Sequence, residues 1–295
     1  MDRDNVRRLA AVAVAAPTTQ TLDDTGSAKK HVLIVDDGSA LTEALLSASQ
    51  AAGLRALVFQ FKHLRRPLPV PVICLDWEDV SSIEQGVARV RQVEGGCRGV
   101  FFLQTAGLPF DRQWLSGALA RLRAAVAIAR GVSLTNSEPL EFVYFVTAQG
   151  GRFGLDAQVS VDALAPGLEA LAHPLRMEMP KTSFRSIDLD PVTSTAEQAR
   201  QLLGELGEAD EPFRTAYGWK GGERATLSVQ ETAAGKAAPI LDAESVVVFA
   251  GGARGIGAVC ARQLAAQYRC KVVLLGRTPL DAEAMELSRL NGAER

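Results

Sequence analysis

The sequence is poor in the residues from which metal sites and disulfide frameworks are made. Four cysteines (Cys74, Cys97, Cys260, Cys270) and three histidines (His31, His63, His173) are scattered over 295 residues. No two cysteines form a C-x-x-C pair, so neither zinc-ligand spacing nor a disulfide pattern is present, and no metal site is expected. Reduced thiols in a cytoplasmic setting are the expectation. Aromatic residues are scarce at 6%, and no sign of charge dominates, with 32 Lys and Arg against 34 Asp and Glu. That balance argues against a nucleic-acid-coating protein, which needs a concentrated basic surface. No apolar run approaches the roughly 20 residues that span a bilayer, so no membrane partner is expected. Arg7 and Arg8 ahead of an Ala-rich stretch have the outline of an export signal. The stretch is short, however, and Asp2 and Asp4 dilute its positive end. Together with the polar residues behind it, region 1–30 reads as a disordered linker.

What remains is an ordinary globular composition, 47% hydrophobic with 26 glycines. Apolar runs at His31–Val35, Leu54–Phe59, Val70–Leu75, Gly99–Leu103, Glu141–Val146 and Phe184–Leu189 predict strands. The prolines of the third run point to a sheet edge. Helical spacing over Leu41–Ala48, Ser82–Val93, Trp114–Arg130 and Val161–Met177 separates several of them, with Pro166 and Pro174 restricting the last. Strands alternating with helices imply an α/β fold, a Rossmann-like, doubly wound parallel sheet. It should occupy 31–230 and end in a hairpin around Lys220-Gly221-Gly222. Residues 231–240 form a linker, and 241–295 open a second, incomplete Rossmann βαβ unit.

The informative segment is Gly251-Gly252-Ala253-Arg254-Gly255-Ile256-Gly257, between the β-branched run 245–249 and a helical stretch. Glycines there permit a tight strand-to-helix turn and close approach of a pyrophosphate to the helix amides. The next apolar run ends in Gly276-Arg277-Thr278. Arg277 stands about 20 residues after Gly257, where NAD binders place an acid on the ribose. An arginine there favours the 2′-phosphate of NADPH, and Arg254 supplies a second cation.

This loop, followed by Leu274-Leu275-Gly276-Arg277-Thr278-Pro279-Leu280, resembles the ketoreductase domains of polyketide and polyunsaturated fatty-acid synthases. These belong to the short-chain dehydrogenase/reductase superfamily. Ala250 stands where that superfamily usually has Thr, while Gly251, Gly255 and Gly257 keep its pattern. His31–Gly53, Phe142–Thr147, Gly167–Leu171, Phe184–Leu189 and Ala216–Trp219 are similar, in order, to the family's structural subdomain, a Rossmann-like half without a nucleotide site. The residues agree, because Asp36 and Asp37 stand where a pyrophosphate would sit and would repel it. The resemblance implies hydride transfer from NADPH to a β-ketoacyl group on acyl carrier protein, with neighbouring synthase domains as partners. Residues 241–295 would then be the truncated, NADPH-binding start of the catalytic subdomain.

The resemblance also implies a Tyr general acid, a Lys four residues later and a substrate-orienting Ser. Tyr144, Tyr217 and Tyr268 are followed at that spacing by Ala148, Gly221 and Val272. No catalytic residue is therefore assigned, and the chain alone is expected to be catalytically incomplete. The alternatives are a non-catalytic module bracing a multidomain synthase, and a different reductase or dehydrogenase chemistry completed elsewhere. Weaker features read as structural: Lys62, His63, Arg65 and Arg66 as a solvated loop, and Asp76, Glu78 and Asp79 as a helix approach. Asp188 and Asp190 read as strand-end turn residues, and Ser133 and Ser137 lack a His partner.

Overall fold

A computed structural model of the chain describes residues 8–18, 31–107, 114–135, 138–156, 164–211, 214–232 and 241–277. It divides into two compact units, Leu9–Thr232 and Met1–Arg8 with Ala233–Arg295.

The first unit rests on β1 (Arg8–Ala15), β2 (His31–Asp36), β3 (Arg55–Phe61), β4 (Val72–Leu75), β5 (Cys97–Gln104), β6 (Phe142–Thr147), β7 (Ser183–Leu189), β8 (Ala216–Lys220) and β9 (Glu223–Thr232). Across the sheet they run β1-β9-β8-β7-β6-β5-β2-β3-β4. Strands β2 to β8 are parallel and β9 returns antiparallel to β8. The helices are α1 (Ala40–Ala51), α2 (Val80–Arg91), α3 (Trp114–Thr135), α4 (Ala165–Glu169), α5 (Ala172–Glu178) and α6 (Thr195–Gly204). Successive residues of β2 point to opposite faces. Val32 and Ile34 join Leu41 and Leu45 of α1 and Leu202 of α6. Leu33 and Val35 join Ile83 and Val87 of α2 and Ile128 of α3. Both faces are covered, which is why the central strands are continuous apolar runs rather than alternating ones.

The doubly wound layout is the one the alternation implies, and proline-flanked β4 lies at an edge. The hairpin turns through Gly221 (φ +58°) and Gly222 (φ +81°), the backbone pair a two-residue turn demands. Three elements differ from the expectation. Residues 8–15, assigned to the linker, form an edge strand beside β9, and the Ala16 amide donates to the Arg224 carbonyl at 2.9 Å. Small alanines at half-exposed positions give that strand almost no compositional signal. The helix expected over Val161–Met177 is two short ones where it is described. Restarting at Ala172 puts Pro174, which has no N–H, in a first turn where none is needed. Helix α6 was missed because buried Gln198 and Gln201 interrupt its apolar face. Ser194, whose Oγ accepts from the Glu197 amide at 3.3 Å, carried the legible start signal, Ser-x-x-Glu.

Past α6, a short turn (Glu205–Gly207) carries a fully buried carboxylate, Glu205. Arg185 of β7 donates to its Oε2 at 2.7 Å, Arg224 of β9 to both oxygens at 2.7 and 2.8 Å, and Trp219 of β8 to its Oε1 at 2.8 Å. The Arg224 guanidinium also lies 3.9 Å from the Tyr217 ring centre. One anion thus clamps three strands, and two aromatic faces share the excess positive charge. Burial pushes the Tyr144 hydroxyl up to about 12, and it stays a neutral donor to the Glu205 carbonyl at 3.1 Å.

A second buried carboxylate, Asp188 near the end of β7, gathers the loop after β6. The amides of Gln149 and Phe153 donate to it, the latter at 2.6 Å. In that loop Gly151 has φ +71°, and a Cβ there would lie 2.1 Å from the Trp219 carbonyl, so only glycine fits. Glu169 of α4 closes the cluster by accepting from Thr147 at 2.8 Å and Gln149 at 3.1 Å. Burial pushes Asp188 up to about 7 against the pull of its amide donors, and the charge of Glu169 adds to the rise.

Glu205→Ala leaves two buried guanidinium groups without their anion. A loss of roughly 3–5 kcal/mol in urea unfolding of the first unit is expected, and a loss below about 1 kcal/mol would refute the clamp. Asp188 binds its proton more tightly folded (about 7) than unfolded (about 3.9), so its contribution exists at low pH and is lost as pH rises to 7. Relative to Asp188→Asn, the parent should lose about 1 kcal/mol per pH unit between roughly pH 4.5 and 7, levelling off above about 8. Parallel stability curves for the two proteins would contradict the assignment.

Candidate functional site

Parallel sheets of this kind meet ligands beyond the carboxyl ends of their strands, where the chain turns outward in both directions. In the first unit that point lies between β2 and β5, and side chains fill it. Asp37 accepts from the Ser39 amide at 3.0 Å, the Ala106 amide at 2.9 Å and the Thr105 hydroxyl at 2.8 Å. Burial works to raise the Asp37 carboxyl, yet these donors together hold it below the usual range, so it is an anion in place. Asp36, fully buried, accepts from the Gly38 amide at 2.9 Å, Thr42 at 2.6 Å and Arg66 at 3.1 Å. The amides that elsewhere meet a phosphate already have acceptors here.

One expectation about the flanking residues changes. Arg66 is not solvated loop: it joins Asp36, Glu43 and the Ser39 carbonyl. His63 stays exposed, its ring centre 4.1 Å from that of Trp77 with the planes tilted at 49°. Asp79 is a helix cap, accepting from the Ser81 amide at 2.9 Å. Among the described residues no group of three or more His, Cys, Asp or Glu is placed to hold a metal, and no helix is long and apolar enough to cross a membrane.

The second unit contains β10 (Val246–Ala250), α7 (Gly255–Tyr268) and β11 (Lys271–Leu275), with the two strands parallel. Its strand-to-helix turn is shaped by four glycines used in two ways. Gly251 (φ +76°) and Gly255 (φ +56°) adopt left-handed backbone, and a Cβ on either would enter open space. Gly252 and Gly257 are needed for contact. A Cβ on Gly252 would lie 2.3 Å from that of Phe249, and one on Gly257 would lie 3.1 Å from the Gly252 Cα. Helix α7 therefore starts directly on the turn, and a side chain at Gly257 would push it away. Ala253 and Arg254 are exposed, Arg254 is the N-cap, and no side chain caps the helix. Ala250 ends β10 and Gly251 follows it, where Asp36 ends β2 and Asp37 follows, so no acidic side chain takes that position here, and Ile256 beside the turn is 83% exposed.

The Gly251 amide donates to the Leu275 carbonyl at 2.7 Å, which ties the turn to the end of β11. Gly276 and Arg277 follow at once and are exposed, so the two cationic residues Arg254 and Arg277 stand at the same edge of the two-stranded sheet. Thr278, the remaining site residue expected from the sequence, lies outside the described residues. The turn can receive an anion through main-chain amides and the helix dipole, and its open cradle fits a dinucleotide pyrophosphate.

No family model matches the chain. Over 265 residues it is 26% identical to a polyunsaturated fatty acid synthase protein of Thraustochytrium sp. (strain ATCC 26185 / S-3). That similarity covers 86% of this chain but 9% of the relative, so the chain spans under a tenth of the protein it matches. Among solved structures, a multidomain structure of the adenylation, ketoreductase and pseudo Asub regions of a keto acid-selecting NRPS module matches 95% of this chain and 24% of its own. The TM-score is 0.76 at 17% identity. An N-terminal ketoreductase from the macrolactin assembly line matches 95% of this chain and 55% of its own, with a TM-score of 0.67 at 13% identity. A Serratia marcescens short-chain dehydrogenase/reductase covers 65% of this chain at a TM-score of 0.50. The chain thus has the Rossmann-type fold of ketoreductase regions, and the ketoreductase resemblance carried by its glycine turn stands.

Proposed function

We propose that residues 241–277 form the phosphate-binding opening of an NADPH-dependent β-ketoacyl reductase, and that Leu9–Thr232 is its scaffold. The carrying observation is the contrast between two equivalent turns. At Asp36–Ser39 the amides are taken by carboxylates, whereas at Gly251–Gly257 no side chain caps the helix and the strand edge bears arginines. On this reading Ala253, Gly255, Ile256 and Gly257 hold the pyrophosphate through the main chain, while Gly251 and Gly252, whose amides go to the Leu275 and Phe249 carbonyls, shape the turn around it. Arg254 and Arg277, with Gly276 and Thr278 beside the latter, hold the 2′-phosphate. The bound cofactor supplies the hydride that reduces a ketone to an alcohol.

The substrate of the proposed reaction is a β-ketoacyl thioester on acyl carrier protein, within a cytoplasmic multidomain synthase whose other domains are partners. The synthase and assembly-line relatives support that setting. None of the three tyrosines suits the general acid: Tyr144 and Tyr217 are buried among Arg185, Glu205 and Arg224, and Tyr268 closes α7 at the end away from the glycine turn, with Val272 rather than a Lys four residues on. On this reading none of these tyrosines gives the product alcohol its proton, and the chain by itself is expected to reduce no β-keto thioester. The filled crevice at Asp37 gives the first unit a second, compatible reading, as a brace for neighbouring domains.

Titration of nicotinamide fluorescence tests both readings. NADPH should bind more tightly than NADH, and Arg277→Ala should erase at least a tenfold preference, as loss of a charged hydrogen bond of about 1.5–3 kcal/mol requires. Gly257→Val should abolish binding of both. Equal affinity for the two dinucleotides, unchanged by Arg277→Ala, would overturn the NADPH assignment, and no binding of either would leave the bracing role alone.

A further inference from the structure

The outer side of the first unit carries a groove of about 860 Å³ between α2 and α3. Its walls repeat at helical spacing, with Val80, Ile83, Val87 and Ala88 on one side and Leu122, Val126 and Ala127 on the other. Gly131 lets the helices meet closely, since a Cβ there would lie 3.2 Å from both Val87 methyls. Small residues along the floor leave room for a third element. The ends are apolar and open, with Val80 59% and Leu134 67% exposed. Exposed apolar surface of this extent is unusual unless something covers it.

The charge around the groove is one-sided. Arg91, Arg123 and Arg130 line it against a single acid, Glu84. Arg91 and Arg123 are exposed and make no ion pair among the described residues. Arg130 reaches Glu178 only at 3.7 Å, with both side chains more than half exposed. Closer pairs form elsewhere on this unit where the arginine is more covered, as for Arg98 with Glu141 at 2.7 Å and Arg176 with Asp210 at 2.8 Å. A second copy of the chain would bring the same arginines face to face, which like-charge repulsion opposes. An extended strand is equally unsuited, because helix walls offer its main chain no hydrogen-bond partners. A helix satisfies its own main chain, and about 12 residues match the length of α2, roughly 18 Å.

We propose that the α2–α3 groove docks an amphipathic helix of a partner protein, apolar on the face that enters and acidic on its flanks. This is the helix-in-groove mode of recognition, with the arginines setting charge selectivity. The groove uses none of the residues of the glycine turn, so the inference does not depend on the reductase reading.

The test uses the full chain and two fluorescent peptides of about 18 residues with one Leu/Ala face. One carries Glu at every other position and the other carries Lys. In anisotropy titrations at low salt, the Glu peptide should bind at least tenfold more tightly than the Lys twin. The double variant Arg91→Glu/Arg123→Glu should weaken the Glu peptide about tenfold and favour the twin, with an unchanged circular dichroism spectrum. Ala127→Glu, which fills the floor, should weaken both. Absence of Glu-peptide binding, equal binding of the two peptides, or indifference to the double variant would overturn the proposal. A dimer in light scattering that Ala127→Glu disperses would assign the face to a second copy and overturn it as well.

Discussion

Main-chain amides at the start of a helix must find an acceptor, and in this protein the choice of acceptor divides a filled turn from an open one. Both units place a strand, a turn and a helix at the carboxyl edge of a parallel sheet, a geometry that concentrates donors and positive partial charge at one point. In the first unit Asp36 and Asp37 fill it, and Asp37 also ties the turn to Thr105 and Ala106 after the next central strand. An anionic ligand there would displace a carboxylate with several hydrogen bonds and meet another behind it. In the second unit glycine does the opposite. It removes side chains from the approach and lets α7 begin against the backbone of the turn itself.

Elsewhere the first unit uses the same device, a buried carboxylate gathering donors from distant parts of the chain. Glu205 draws Arg185, Trp219 and Arg224 together across β7, β8 and β9, and Asp188 draws in the loop that follows β6. Buried charges of this kind contribute little net stability when paired but cost much when a partner is removed. They specify which segments meet more than they strengthen the fold. A rigid frame with its own ligand point closed suits a scaffold.

The glycine turn was legible because its requirements are local. Positive φ at Gly251 and Gly255 and close contacts at Gly252 and Gly257 follow from a few consecutive residues. The central strands were equally plain, since burial on both faces writes itself as uninterrupted apolar runs. Edge strand β1 was not, because alanines in a half-exposed strand resemble a linker until β9 accepts them. Helix α6 hid behind Gln198 and Gln201, polar residues whose burial depends on where Asp190 and Glu197 lie.

The sequence by itself determined the alternation of strands and helices, the glycine turn and the arginine at the end of the second strand. Each rests on contacts between near neighbours or on the period of the apolar pattern. Tertiary structure alone decided that Arg66 turns inward onto Asp36, that Glu205 serves two arginines, and that α2 and α3 leave an arginine-rimmed groove. These outcomes join residues far apart in the chain. Burial and charge pairing at such range depend on the packed sheet, and no local spacing records them.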